Sequence, residues 1–155
     1  MATDTEYAWA AGFIEADGCI HLSQGQQTKV EVIIVQKDLR PLLRLQAIFD
    51  DHSTIGVVKR RAGTAVYHRL VFGCRRARTV LSLVLPYLEH KRDMALLGIE
   101  LDERIAAWQG RTKSPSTRRV TQDELQHRLE IVQRARAIGL DAERLSEEAP
   151  VYAAG

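Results

Sequence analysis

The chain has 155 residues, 45% hydrophobic and 27% charged, with a formal net charge of +2. That length suits one domain with a real core, and the balance is that of a soluble globular protein. No apolar run approaches a membrane span, and the acidic start "MATDTEYAW" is unlike a signal or transit peptide. Cys19 and Cys74 are too far apart for metal-type spacing, the five histidines are scattered, and a reducing compartment is expected.

Thr3-x-x-Glu6 is a capping box that opens a first helix running to about Glu15, and Gly18 breaks it. "CIHLSQG" and "TKVEVIIVQ" read as two strands with a turn near Gly25. Val30, Val32 and Ile34 fall on one face of the second strand, and Lys29, Glu31 and Ile33 on the other. Asp38 is placed to cap a second helix, "LRPLLRLQAIF", with Pro41 in its first turn. "TIGVVKRR" and "AVYHRLVFG" form a second strand pair around Gly63. "RARTVLSLVLPYL" is a third helix and "RDMALLGIELDERIAAW" a fourth, weakened by Gly98. Thr121-x-x-Glu124 caps a last helix that Gly139 stops. The pattern predicts an α+β fold: an αββαββα core around a four-stranded antiparallel sheet, plus C-terminal helices. One domain is expected over 1–155, with a core at 1–140 and an acidic tail at 141–155.

Charge is segregated along the chain. From His52 to Leu88 there are seven Lys/Arg and no acid, and Arg111, Lys113, Arg118 and Arg119 follow in an acid-free stretch. Such segregation predicts a strongly positive face suited to nucleic acid. One sheet face must lie under the helices. The other is expected to carry Gln27, Lys29, Glu31, Lys59, Arg61, Tyr67 and Arg69, a polar ribbon of the kind that fits the major groove. A solvated sheet has the same pattern.

Within "AAGFIEADGCI", residues 10–20, two acids sit in an apolar run. Ala8, Gly12 and Ala16 recur every fourth residue and make a smooth stripe where a second backbone can approach. Two such helices packed side by side would bring two Asp17 carboxylates and exposed helix-end carbonyls together, a hard-oxygen site for Mg²⁺.

The stretch resembles the signature of LAGLIDADG homing endonucleases. "AAGFIEADG" matches from Ala11 to Gly18, with Ala10 in place of the usual Leu and Glu15 in place of the commoner Asp. The αββαββα order agrees, and residues 5–135 are similar to single-motif members related to the algal chloroplast intron enzymes. "VQKDLRPLLRL" is similar to the segment after the second strand, which implies Gln36 and Arg40 as active-site polar groups. "LPYLEHKRDMA" is similar to the segment carrying the active-site lysine, which implies Lys91. The first hairpin, Cys19 to Gln36, is shorter than in those relatives, and the acidic tail after Gly139 has no counterpart.

The resemblance implies a site-specific, Mg²⁺-dependent DNA endonuclease, with Mn²⁺ able to substitute, working as a homodimer on a long pseudo-palindromic double-stranded site and leaving short 3′ overhangs in intron homing. Asp17 would be the direct metal ligand with the Ala16 carbonyl beside it. Lys91 would stabilise developing negative charge or help activate water. Gln36 and Arg40 would order solvent around the phosphate. The dimer interface is expected at Ala8, Ala11, Gly12, Glu15 and Ala16, with Glu15 serving helix packing or capping. DNA contacts are expected from His21, Ser23, Gln27, Lys29, Glu31, Ile33, Lys37, Lys59, Arg61, Tyr67 and Arg69, and phosphate clamps from Arg111, Lys113, Arg118 and Arg119. The sequence leaves open which side chains of 62–72 face DNA. The alternatives are a cleavage-inactive LAGLIDADG DNA-binding regulator or intron RNA maturase, and a protein-interaction domain with a basic sheet. Asp17, Lys91 and Gln36 together argue for the nuclease. Seventeen arginines against five lysines, and no asparagine, suggest a GC-rich gene and hence a bacterial cytoplasm before an organelle.

Overall fold

Thr3 begins the fold as a reciprocal cap. In the computed structural model, which describes residues 1–23, 28–59, 66–111 and 120–148, the Thr3 hydroxyl accepts from the Glu6 N–H and the Glu6 carboxylate accepts from the Thr3 N–H at 2.8 Å. Two otherwise orphaned donors are satisfied, and helix α1 runs Asp4–Asp17. The Gly18 N–H closes the helix on the Ile14 carbonyl. A Cβ at Gly18 would lie 2.8 Å from that oxygen, so only glycine lets a strand leave the last turn directly.

That strand is β1 (Gly18–Leu22), followed by β2 (Val30–Gln36), α2 (Arg40–Phe49), β3 (Gly56–Lys59) and β4 (Val66–Gly73). Next come α3 (Arg75–Val84), a 3-10 turn at Leu85–Tyr87, α4 (Arg92–Arg111) and α5 (Gln122–Glu148). The strands form one antiparallel sheet in the order β1-β2-β4-β3. The α+β class and the αββαββα order are those expected.

Two boundaries differ. Gly139 does not stop α5, which continues to Glu148. A helical glycine costs only about 1 kcal/mol, and the preceding turns bury Ile131, Val132 and Ala135. Asp38 is not the residue that caps α2; Leu39 occupies that position. Asp38 still accepts the Arg40 N–H at 3.0 Å, from one residue earlier.

The inner sheet face is Ile20, Leu22, Val30, Val32, Ile34, Leu70 and Phe72, all buried. It meets Ile14, Leu42, Leu45 and Leu81 from the helices. Each fully buried large aliphatic or aromatic side chain contributes about 1.5–3 kcal/mol. Gly98 in α4 marks a close approach, since a Cβ there would lie 2.9 Å from Val30. This packing holds α1 against β2, α2, α3 and the Leu85–Tyr87 turn, and so fixes where its last turn ends. Among the described residues no helix is long and apolar enough to cross a membrane.

Candidate active site

The last turn of α1 carries Glu15 and Asp17 and no basic residue. Two acids at the negative end of a helix are unfavourable unless a cation comes from elsewhere. Lys91, just before α4, supplies it. Its Nζ donates to the carbonyls of Ile14, Glu15 and Gly18 at 2.8, 2.6 and 2.6 Å. Burial lowers the Lys91 pKa from its ordinary value, against the opposing pull of Glu15, Cys19 and Asp17. The contacts bypass the Ala16 carbonyl. The Asp17 carboxylate is exposed and makes no ion pair among the described residues.

The other expected active-site groups stand at the same end of the sheet or near it. Gly18 pairs with Ile34, so Gln36, two residues on in β2, projects at the edge from which α1 enters β1. Gln36 is half-buried and pairs in register with His68. Arg40 opens α2, and its guanidinium is held by Asp38, with Nε 2.9 Å from Oδ2. Among the described residues no group of three or more His, Cys, Asp or Glu is placed to hold a metal. One chain thus offers one carboxylate with a neighbouring carbonyl, a hard-oxygen donor set that fits half of a shared Mg²⁺ site.

The expected interface stripe divides in two. Ala8, Gly12 and Ala16 are exposed, and beyond its own helical turn a Cβ at Gly12 would meet no atom of the described residues within 4 Å. Ala11 and Glu15 do not belong with them. Ala11 is fully buried with Ala10 and Ile14 in its own core. Glu15 turns inward, its Oε1 accepting the backbone N–H groups of Glu89 and Lys91 at 2.7 and 3.2 Å. The helical periodicity puts positions 11 and 15 on the core side of the stripe. Trp9 and Phe13 stack beside it, centroids 5.3 Å apart, with the Arg44 guanidinium 4.0 Å from the Trp9 ring.

The open sheet face carries His21 opposite Glu31, Cys19 opposite Ile33, Ile33 opposite Val71 and Val35 opposite Arg69. Lys29 pairs with Glu31 at 2.7 Å. Its centre, Ile33, Val35 and Val71, is aliphatic, so the face is less polar than expected. Tyr67 shares it, opposite Val58. Lys59 does not: the register sets it opposite Val66, in phase with Val57 and His68. A one-residue difference in phase moves a strand residue to the other face. Ser23 closes the hairpin neck, its hydroxyl accepting the Lys29 N–H at 3.0 Å. Lys37 is exposed just past β2.

The basic run does not form a single face either. Arg76 and Arg78 lie in the helix layer, where they pair with Asp51 at 3.5 Å and Asp102 at 3.3 Å. Gln27, Arg61, Lys113, Arg118 and Arg119 fall outside the described residues, and Arg111 is the last residue of α4. Reading the sequence missed Asp38 as the partner of Arg40, although Asp-x-Arg at a helix start is a recognisable local signal. It also missed the Arg104–Glu124–Arg128 cluster joining α4 and α5, with contacts of 3.0 and 2.9 Å. The Glu124–Arg128 half is an i,i+4 pair legible on the helix face, whereas nothing local marks Arg104, 20 residues away.

A family model described as a LAGLIDADG-like domain matches residues 4–84. The DNA endonuclease I-CvuI of Chlorella vulgaris is 30% identical over 122 residues, covering 72% of this chain and 70% of that protein. A crystal structure of the homing endonuclease I-CvuI in complex with the I-CreI target, in the presence of Mg with the DNA not cleaved, is 27% identical. It superposes with a TM-score of 0.62 over 87% of this chain and 83% of that one. The archaeal intron-encoded homing endonuclease I-Vdi141I, complexed with DNA, is 14% identical with a TM-score of 0.65 over 87% and 84% of the two chains, and so shares the fold.

Proposed function

The chain belongs to the LAGLIDADG-like domain family, and from that premise we propose that it is a homing endonuclease that cuts double-stranded DNA as a homodimer. The observation that carries the reading is the end of α1. An exposed Asp17 ends a helix whose exposed stripe, Ala8, Gly12 and Ala16, has open space where a second backbone can lie. Twofold packing along that stripe would join two half-sites into one.

In this reading Asp17 and the Ala16 carbonyl of each subunit would hold Mg²⁺. The bound ion would supply charge neutralisation at the scissile phosphate and the leaving oxygen. Lys91 Nζ stands near Asp17, held by the Ile14, Glu15 and Gly18 carbonyls, where its ammonium would stabilise negative charge developing on the phosphate. Gln36 and Arg40 would order the solvent from which the attacking water comes. The open sheet face would lie along each half-site, with Arg69, Lys29 and His21 offering polar contacts to base edges and Ile33, Val35 and Val71 offering apolar contacts to thymine methyl groups.

The test is selection of cut molecules from a library of DNA duplexes with randomised inverted half-sites, incubated with the protein and Mg²⁺. Recovery of one pseudo-palindromic consensus with short 3′ overhangs is expected. An Asp17→Asn protein should bind the recovered site and fail to cut it. Selective binding by wild type without any cutting would overturn the enzyme and favour the regulator.

A further inference from the structure

Two helix ends meet at Glu15 and Lys91. The negative end of α1 faces the segment that leads into the positive end of α4, where Ala95 N–H closes the first turn on the Lys91 carbonyl. Each end receives a side chain of complementary charge from the other. Glu15 Oε1 accepts the N–H groups of Glu89 and Lys91 at 2.7 and 3.2 Å, and Lys91 Nζ returns to the carbonyls of Ile14, Glu15 and Gly18. The second carboxylate oxygen, Oε2, is buried and makes no hydrogen bond.

We propose that Glu15 is a positioning residue for Lys91: it anchors the turn at 89–91 by two backbone N–H groups and thereby fixes the ammonium beside Asp17. A free lysine side chain carries about 1.5–2 kcal/mol of rotamer entropy, and a turn held at one end would let Nζ sample many positions. The clasp removes that freedom before DNA binds. What Lys91 does there rests on the nuclease reading; the clasp itself does not.

The two backbone contacts need an oxygen acceptor at Oε1, which a glutamine amide also supplies. Glu15→Gln keeps the acceptor and Glu15→Ala deletes it. Three readouts apply to each purified protein: hydrogen exchange of the 89–91 amides, acetylation of Lys91 Nζ with exposed Lys37 as internal reference, and single-turnover cleavage of bound DNA. Glu15→Ala should raise exchange and Lys91 labelling and slow cleavage about 10–100-fold while DNA affinity holds, as loss of a supporting hydrogen bond typically does. Glu15→Gln should behave like wild type in all three. Wild-type protection in Glu15→Ala, or Glu15→Gln labelled as fast as Glu15→Ala, overturns the proposal. Should Glu15→Ala not fold, Glu15→Gln alone decides: Lys91 labelled as fast as Lys37 overturns it, and wild-type protection supports it. The expected exchange and labelling pattern in a protein that cuts no DNA supports the clasp and counts only against the nuclease reading.

Discussion

Asp38 grips the Arg40 guanidinium through both carboxylate oxygens and accepts the Arg40 backbone N–H as well. First the side-chain hydrogen bonds, then the backbone one, lower the Asp38 pKa from 3.8 to about 2. The folded-state value lies below the unfolded one. Any stabilisation is therefore complete above the unfolded pKa and is lost as pH falls toward about 2. The pair is exposed and its effect on global stability is small. The site-specific signal is the sharper measure: an NMR titration of the Asp38 carboxyl carbon should show a midpoint at about 2. Arg40→Gln should return it toward the ordinary carboxylate range. An ordinary midpoint in the wild type would show that Arg40 is not held.

The basic run between His52 and Leu88 contains residues with different roles. Arg69 is exposed on the open sheet face opposite Val35, and Arg76 pairs with Asp51 in the helix layer. Arg69→Ala should relax preference at one base pair per half-site by about 1–3 kcal/mol. Arg76→Ala should leave DNA affinity and specificity unchanged and lower stability instead, because it strips the buried Asp51 carboxylate of its counter-charge. A titration against the target and its single-mismatch set separates them. Identical profiles would mean that the sheet face does not read bases.

Local signals were legible in the sequence and non-local ones were not. The Thr3/Glu6 box, the alternation at Val30, Val32 and Ile34 and the Ala8–Gly12–Ala16 stripe each depend on residues a few positions apart; the first two appear as read, and the stripe is exposed on α1. The phase of Lys59 does not, because "GVVK" is short and lacks alternation, and a slip by one residue reverses its face. Arg76 and Arg78 look like free cations until folding brings them to Asp51 and Asp102. Glu15 was legible in kind but not in partner. Packing or capping is the role expected of it, but the N–H groups it holds lie 74 and 76 residues away, and only the packing of α1 against the Leu85–Tyr87 turn joins them.

Glu124 holds two guanidiniums at the α4–α5 contact, and the Arg128 side chain is only 5% exposed. Glu124→Ala strands Arg128 in a buried site with its main counter-charge gone. Breaking a buried pair this way costs about 3–5 kcal/mol. At about 2–4 °C per kcal/mol for a chain of this size, the melting temperature should fall by roughly 10 °C. A thermal melt followed by circular dichroism checks it. A fall of only a degree or two would show that Arg128 finds another partner or reaches water.

Gly12 tests the assembly. Beyond its own helical turn, no atom of the described residues lies within 4 Å of a Cβ built there, so a larger side chain has room on that face of α1. Glycine is also about 0.8–1.0 kcal/mol worse than alanine within a helix, and leucine is close to alanine. Gly12→Leu should therefore leave α1 and the fold intact, with unchanged helical circular dichroism. Between two α1 helices packed on the Ala8–Gly12–Ala16 stripe, the same side chain would force the backbones apart. The expected product is a folded monomer by sedimentation velocity, under conditions where the wild type sediments as a dimer. It should fail to cut DNA although Asp17 and Lys91 are both present, because the second Asp17 is no longer beside the first. A Gly12→Leu protein that remains dimeric and cuts normally would remove the stripe as the interface, and with it the account of why α1 ends in an exposed carboxylate.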